Sequence, residues 1–410
     1  MKTSIIVCLY NTENQKFEKC MNSICTSTLT DYEVLVIDDG STVDYTEIIK
    51  KYNPVYVKTQ NRGLLAARLY GIALARGEYI AFVDSDDTVT FNYHATMVEE
   101  AEKSGCDIVI NDWAFKTASS VASCYGDSIA NSDFCIEGDE ILRKYAMQRG
   151  KEQAYFVAWN KLFKRELLLK AKSDIEKTSA IMQKQVYAED VIGTFFAFKN
   201  AKKVKNIHTG YYLYHLHGEQ SVSVSGAKAL KTQVDEMTRT FEVISASVGE
   251  NKYAKEISEN LSEWKSLMCR IHFSYAKSLK EDWLCEYVGV MYDEKSLVPA
   301  KAKDSYGYIA SELIGDNLEG IDTVLRWIYK KGQDVSIKYN KKDKYVADSI
   351  TYIEKVKGIK ISFSENAQLI IPKRTVSFKN KLLHNRFVNT VGMALFPKGS
   401  RLRNFFKSKL

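Results

Sequence analysis

Proline is scarce, with four in 410 residues. No low-complexity tract or internal repeat is visible either, which excludes proline-rich linkers and repeat solenoids. No apolar run approaches the roughly 18–20 residues that a helix needs to cross a membrane. The chain runs directly into "TSIIVCLY", with no charged n-region, apolar h-region and cleavage site in front. The expectation is a cytoplasmic protein. The eight cysteines contain no C-x-x-C and no paired spacing, so reduced core thiols in a reducing compartment are the simplest reading. Acidic residues are missing from Pro372 to Leu410, where ten Lys and Arg occur. Without those ten, 48 basic residues face 51 acidic ones, a net of −3. The body is slightly acidic, and the basic character belongs to the tail.

Hydrophobic residues make up 45% and charged ones 27%, a composition that buries a core and argues against wholesale disorder. The length suits two domains, or one with an appendage. Short apolar runs at 4–10, 32–37, 55–59 and 78–83 read as buried strands, and "CDIVIND" as a fifth. Helical patterns lie between them at 13–28, 64–75 and about 91–104, with Gly77 and Gly105 as candidate terminators. This alternation implies a parallel sheet flanked by helices. After about residue 210 long helical patterns take over, at 228–247, 251–280 and 305–331. The expected plan is an α/β domain over 1–220, a helical region over 221–333, a small α/β unit over 334–371 and a basic amphipathic tail over 372–410.

In open α/β sheets ligands bind beyond the carboxyl ends of the strands. Polar residues cluster there: Tyr10 and Asn11, Asp38 and Asp39, Asn61, then Asp84 to Asp87. Any one of these aspartates could be a loop or helix-cap residue. A D-x-D at a strand end also suits Mg²⁺ or Mn²⁺, which one or two carboxylates hold together with substrate phosphates. Asp86 is the candidate metal ligand, and Asp84 the candidate for a ribose or a metal-bound water. "DSDDT" formally fits the D-x-D-x-T nucleophile loop of haloacid-dehalogenase-like phosphatases. That loop belongs after the first strand, however, and commonly has Gly where Asp87 stands. No G-x-G-x-x-G follows the first strand, which argues against a dinucleotide dehydrogenase.

"SIIVCLYN", "EVLVIDDGST", "NRGLLAARLYG" and "GEYIAFVDSDD", followed by "WNKLFKREL" and "AEDV", resemble family 2 glycosyltransferases of the GT-A fold, of the bacterial surface-polysaccharide type. The resemblance covers about residues 3–220. It implies a Rossmann-like, mixed but mainly parallel sheet with a mostly helical C-terminal extension. It implies a nucleotide-diphosphate sugar donor, UDP-linked, and a glycan or lipid-linked saccharide acceptor. It places Tyr10, with the Cys8 backbone, near the nucleotide base. Asp39 would bind the base and Asp38 support its turn. Asn61 and Ser85 would line the donor pocket, and Arg68 would lie near the diphosphate or base. Asp190 would be the general base of an inverting reaction. Three positions depart from the family pattern. "CLYN" stands where P-x-Y-N is usual, Leu69 replaces the Asn after the Arg, and Val43 takes the place of the Asp in G-S-T-D.

Without the family, Glu189-Asp190 could simply be acidic residues at a helix N-terminus. Trp159, Asn160 and Lys161, with Glu189, are the acceptor-pocket candidates. His215 and His217, on one side of a strand, could reach the metal or diphosphate, or could be buried and hydrogen-bonded. The tail sets Phe378, Leu382, Leu383, Phe387, Val391 and Leu395 on one helical face among basic residues. It suits an anionic membrane surface, peripheral on the inner face of the cell membrane, or a helix packed on the body. No nucleic-acid-binding fold is visible, so no nucleic-acid partner is expected. A GT-A-fold scaffold without turnover is the reading from another class.

Overall fold

A computed structural model describes residues 1–116, 121–123, 133–149, 152–181, 183–215 and 227–276, with short pieces between 335 and 363. The chain opens with β1 (Thr3–Leu9), α1 (Asn14–Cys25), β2 (Tyr32–Asp38), α2 (Thr46–Tyr52) and β3 (Val55–Lys58). It continues with α3 (Leu64–Leu74), β4 (Tyr79–Asp84), β5 (Thr88–Val89), α4 (Tyr93–Ser104), β6 (Ile108–Ile110) and β7 (Trp113–Lys116). Then come β8 (Val121–Ser123), β9 (Cys135–Glu137), α5 (Glu140–Met147), α6 (Gln153–Phe156), β10 (Lys161–Lys164) and α7 (Arg165–Glu176). Next come α8 (Glu189–Asn200), β11 (Lys203–Asn206), β12 (Tyr212–His215), α9 (Ala227–Ala246) and α10 (Ala254–Ala276).

Eight strands form one sheet in the order β3-β2-β1-β4-β10-β6-β11-β9. β1 pairs parallel with β2 and β4, and β2 with β3. The four strands expected from the apolar runs are therefore neighbours. All seven residues of β1 are buried, as befits a strand covered on both faces. The sheet is not purely parallel, as alternation alone suggests. β10 runs antiparallel to both β4 and β6, because the chain returns to the sheet from the rim that β6 had reached. The GT-A resemblance carried that mixed topology. A second sheet has the order β5-β12-β7-β8 and abuts the end of β4 through β5.

Two glycines behave differently. Gly105 ends α4 in the left-handed region (φ 67°), as expected. Gly77 does not end α3, which stops at Leu74 with an extended Ala75 after it. A Cβ on Gly77 would stand 2.5 Å from Ser4 N, so close approach to β1 explains the glycine.

By internal contacts one compact unit comprises Met1–Ser223 with Arg239–Trp264. Trp264 is 2% exposed, against Tyr145, Phe156 and Phe241, so part of the expected helical region belongs to the α/β body. The second unit is Val224–Thr238 with Lys265–Leu410. In it β13 (Val335–Ile337) and β14 (Ile361–Phe363) pair in parallel, within the expected small α/β unit. The helix expected at 305–331, His217 and the basic tail lie outside the described residues. Among the described residues no helix is long and apolar enough to cross a membrane.

Candidate active site

Register brings the polar residues to one level. Cys8 lies beside Ile37 on one side and Asp84 on the other, and Leu9 lies beside Asp38. β1 ends at Leu9, and two residues on Asn11 turns in the left-handed region (φ 51°) that Asn tolerates well. Asn11 Oδ1 accepts from Thr42 N at 2.8 Å, and Asn11 N donates to Ser41 Oγ at 2.9 Å. Tyr10 is left with its ring outward, 52% exposed.

Asp38 and Asp39 are turn builders. Asp38 is fully buried and accepts from Ser41 N at 2.7 Å and from Tyr56 OH at 2.5 Å. Asp39 accepts from Arg62 N and Gly63 N, both at 2.8 Å. Those bonds set the next turn beside the β1–β2 rim. Asn61 lies in it, and its buried Oδ1 has no hydrogen-bond partner among the described residues. Burial pushes the Cys8 thiol up to about 12, so Cys8 is no nucleophile and contributes shape only.

The other half of the site centres on Arg68, which is 5% exposed on α3. Its Nη2 donates to Asp84 Oδ1 at 3.1 Å, and its Nη1 donates to Glu189 Oε1 at 3.1 Å and to Asp190 Oδ1. Ala158 N also donates to Asp190 Oδ1, at 3.3 Å. Asp190 Oδ2 makes no hydrogen bond among the described residues. One guanidinium cannot neutralise three carboxylates. Burial, with Asp190 and Asp86 adding, raises Asp84 to about 6 against the pull of Arg68. Burial and Asp190 likewise raise Glu189 well above the carboxylate range. Ala188 enters α8 at φ 57°, and its strain aims Glu189 and Asp190 at the rim. Behind them a cavity of about 30 Å³ is lined by Arg68, Phe82, Phe163, Leu168, Gly193 and Thr194 among others.

Asp87 is not a capping residue of the following turn. It is 1% exposed and accepts from His215 N at 2.7 Å and Tyr212 OH at 2.9 Å. Tyr212 OH in turn accepts from Asp84 N at 3.0 Å. Tyr212, which the sequence reading missed, thus pins the D-x-D loop from below. Its signal was only an aromatic strand, "YYLYH". Ser85 is buried, with its hydroxyl 2.6 Å from that of Thr12. His215 Nε2 lies 2.9 Å from Thr88 Oγ1, beside the loop. Asp86 is half-buried at the loop's tip.

Trp159, Asn160 and Lys161 are 2%, 0% and 0% exposed, so no acceptor touches them in this arrangement. Trp159 stacks on Tyr212, ring centres 4.3 Å apart. Lys161 Nζ donates to Ala154 O at 2.6 Å, Asn160 Oδ1 at 2.7 Å and Val157 O. Those bonds hold the segment that delivers Ala158 N to Asp190.

Among the described residues no three His, Cys, Asp or Glu side chains converge as a metal cage. The donor set is carboxylate oxygen in an electronegative cleft. It fits a hard dication held by Asp86, with Asp84 behind it, and completed by phosphates and water.

A mainly parallel sheet with its rim of turn-building aspartates, and a D-x-D loop facing an acidic helix start, defines a GT-A domain. The model of glycosyl transferase family 2 matches residues 4–168. Glycosyltransferase GlyA of Streptococcus pneumoniae is 28% identical over 260 residues, covering 60% of this chain and 35% of that one. An uncharacterized glycosyltransferase of Bacillus subtilis, EpsJ, is 32% identical over 222 residues, covering 52% of this chain and 60% of that one. The chain thus spans less than two thirds of either relative. S. aureus TarS 1–349, in complex with UDP-GlcNAc, superposes with a TM-score of 0.58 at 19% identity, over 82% of this chain and 93% of that one. That likeness is one of fold.

Proposed function

We propose that this protein is a metal-dependent, inverting glycosyltransferase. It moves a sugar from a nucleotide-diphosphate donor, UDP-linked, to a hydroxyl of a surface glycan or lipid-linked saccharide. The observation that carries the reading is the Arg68 junction, which draws Asp84 of the D-x-D and Asp190 of the acidic helix onto one guanidinium. The relatives' names support sugar transfer, and the complex of TarS with UDP-GlcNAc supports a nucleotide-sugar donor.

Tyr10 stacks beside the base. Asn61 Oδ1, which has no hydrogen-bond partner among the described residues, and the remaining lone pairs of Asp39 face the base edge. Asp84 Oδ2 meets the ribose or a metal-bound water. Mn²⁺ or Mg²⁺ at Asp86, when bound, supplies charge stabilisation for the departing diphosphate. Asp190 Oδ1 is held by Arg68 and Ala158 N, which leaves Oδ2 to take the acceptor proton. The acceptor oxygen bonds to the anomeric carbon as the bond to the diphosphate breaks on the opposite face, and the configuration inverts. Residues 372–410 dock the enzyme on an anionic membrane surface, and truncation after Ile371 is expected to release it from anionic vesicles.

The test is turnover of UDP-sugars with Mn²⁺. Asp190→Asn is expected to lower the rate about 10²–10⁴-fold while keeping UDP binding. Asp86→Ala is expected to lose the metal dependence. Near-normal turnover by Asp190→Asn refutes the assignment of the base. Donor binding without turnover in the unmutated protein leaves a binding protein instead.

A further inference from the structure

Lys184 stands six residues before Asp190. Its Nζ lies 5.5 Å from the centre of the Tyr10 ring, and both side chains are exposed. The backbone that carries it is held firmly. Arg239 of α9 donates from Nη1 to Gln183 Oε1 at 2.6 Å and from Nη2 to Lys184 O at 3.1 Å. Its Nε and Nη2 both reach Gln185 Oε1, at 3.0 and 2.8 Å. Gln185 Nε2 donates to Thr240 Oγ1 at 3.1 Å, and Gln185 O accepts from Leu65 N at 3.3 Å.

The segment also rests on the turn that Asp39 holds. Gly63 has φ 92°, and a Cβ there would stand 2.7 Å from Gln185 O and 3.0 Å from Lys184 Cγ. A fixed backbone therefore presents a long cationic side chain to the ring expected to carry the base.

An ammonium over an exposed aromatic ring is a weak contact. A base stacked on such a ring is held more strongly. The base wins the ring, and the ammonium must move. Arg68 is not free to serve a diphosphate, because Asp84, Glu189 and Asp190 already occupy that guanidinium.

We propose that Lys184 is a donor-binding residue, covering Tyr10 while the donor is absent and pairing with the diphosphate oxygens once the base takes the ring. This rests on the nucleotide-diphosphate reading above. Arg239 is its positioning residue.

The experiment measures UDP and uridine binding to the full chain with Mn²⁺. Lys184→Met keeps the stem and removes the charge. It is expected to weaken UDP about tenfold, the size of one charge-assisted contact, and to leave uridine unchanged or slightly tighter. Unchanged UDP affinity overturns the proposal. An equal loss for UDP and uridine marks a base contact and overturns the phosphate pairing. Arg239→Ala is expected to weaken UDP several-fold alone but not in the Lys184→Met background. The same loss in both backgrounds overturns its positioning role. Failure of the unmutated protein to bind UDP at all defeats the donor reading itself, a result distinct from an indifferent Lys184→Met.

Discussion

On the side of β1 to β3, carboxylates and amides hold backbone N–H groups. On the side of β4 and α8, they hold one guanidinium. Asp38, Asp39 and Asn11 each fold a neighbouring turn and can be assigned from local chemistry. Arg68, Asp84, Glu189 and Asp190 meet only because three separate elements converge. At the rim of the first side Asp38, Asp39 and Asn11 are hydrogen-bonded, while Asn61 Oδ1 has no partner among the described residues. The second carries excess negative charge, and a substrate with its cation is what that charge suits. Shape and chemistry are thus divided between two halves of one rim.

Four changes would break or sharpen this contrast. Arg68→Met leaves three carboxylates facing one another without their cation. It should destabilise the fold by about 3–5 kcal/mol in urea titrations, more than any turn mutation. If Arg68→Met is as stable as the parent, the charge argument fails.

His94 serves as a control outside both halves. It is fully buried on α4, and neither ring nitrogen has a hydrogen-bond partner among the described residues. Burial lowers its pKa to about 4, against the usual 6.5. The native state keeps it neutral while the unfolded chain takes up a proton. Its stabilising share is therefore complete above pH 6.5 and is lost as the pH falls toward 4. The loss amounts to about 3 kcal/mol. In His94→Leu that acid slope should flatten, measured as urea midpoints from about pH 7 to 4.

Asp39→Ala frees two backbone donors and should cost about 2 kcal/mol, with a raised KM for donor and a smaller change in kcat. An effect on kcat alone would move Asp39 to the other half of the site. The smallest change is a gain. Gly193 sits within α8 and lines the cavity beside Arg68, and a Cβ added there would meet nothing within 4 Å. Gly193→Ala should stabilise by about 1 kcal/mol, read as a raised Tm with turnover kept.

The same contrast explains what was legible in the sequence. The four neighbouring strands and their polar ends followed from apolar runs that stop at Asn or Asp. The Arg68 junction did not, because nothing local ties Arg68 to residues more than a hundred positions away. The family motifs brought those residues together by resemblance. Asp87 looked like its acidic neighbours, and only Tyr212 and the His215 amide reveal a structural anchor. Trp159, Asn160 and Lys161 looked polar or aromatic enough for a pocket. Their groups are spent on carbonyls and rings inside the body, which composition does not disclose.

The D-x-D loop is tied at both ends: Cys8 pairs with Asp84 in one sheet, and Thr88 and Val89 pair with Leu213 and Tyr212 in the other. Its length is therefore an inherited quantity as much as its letters are. One residue added between Ser85 and Asp87 would turn Val89 outward and Thr88 inward, since strand side chains alternate. Among descendants of this chain, substitutions at the loop can be survived and repaired. Insertions and deletions there should be absent.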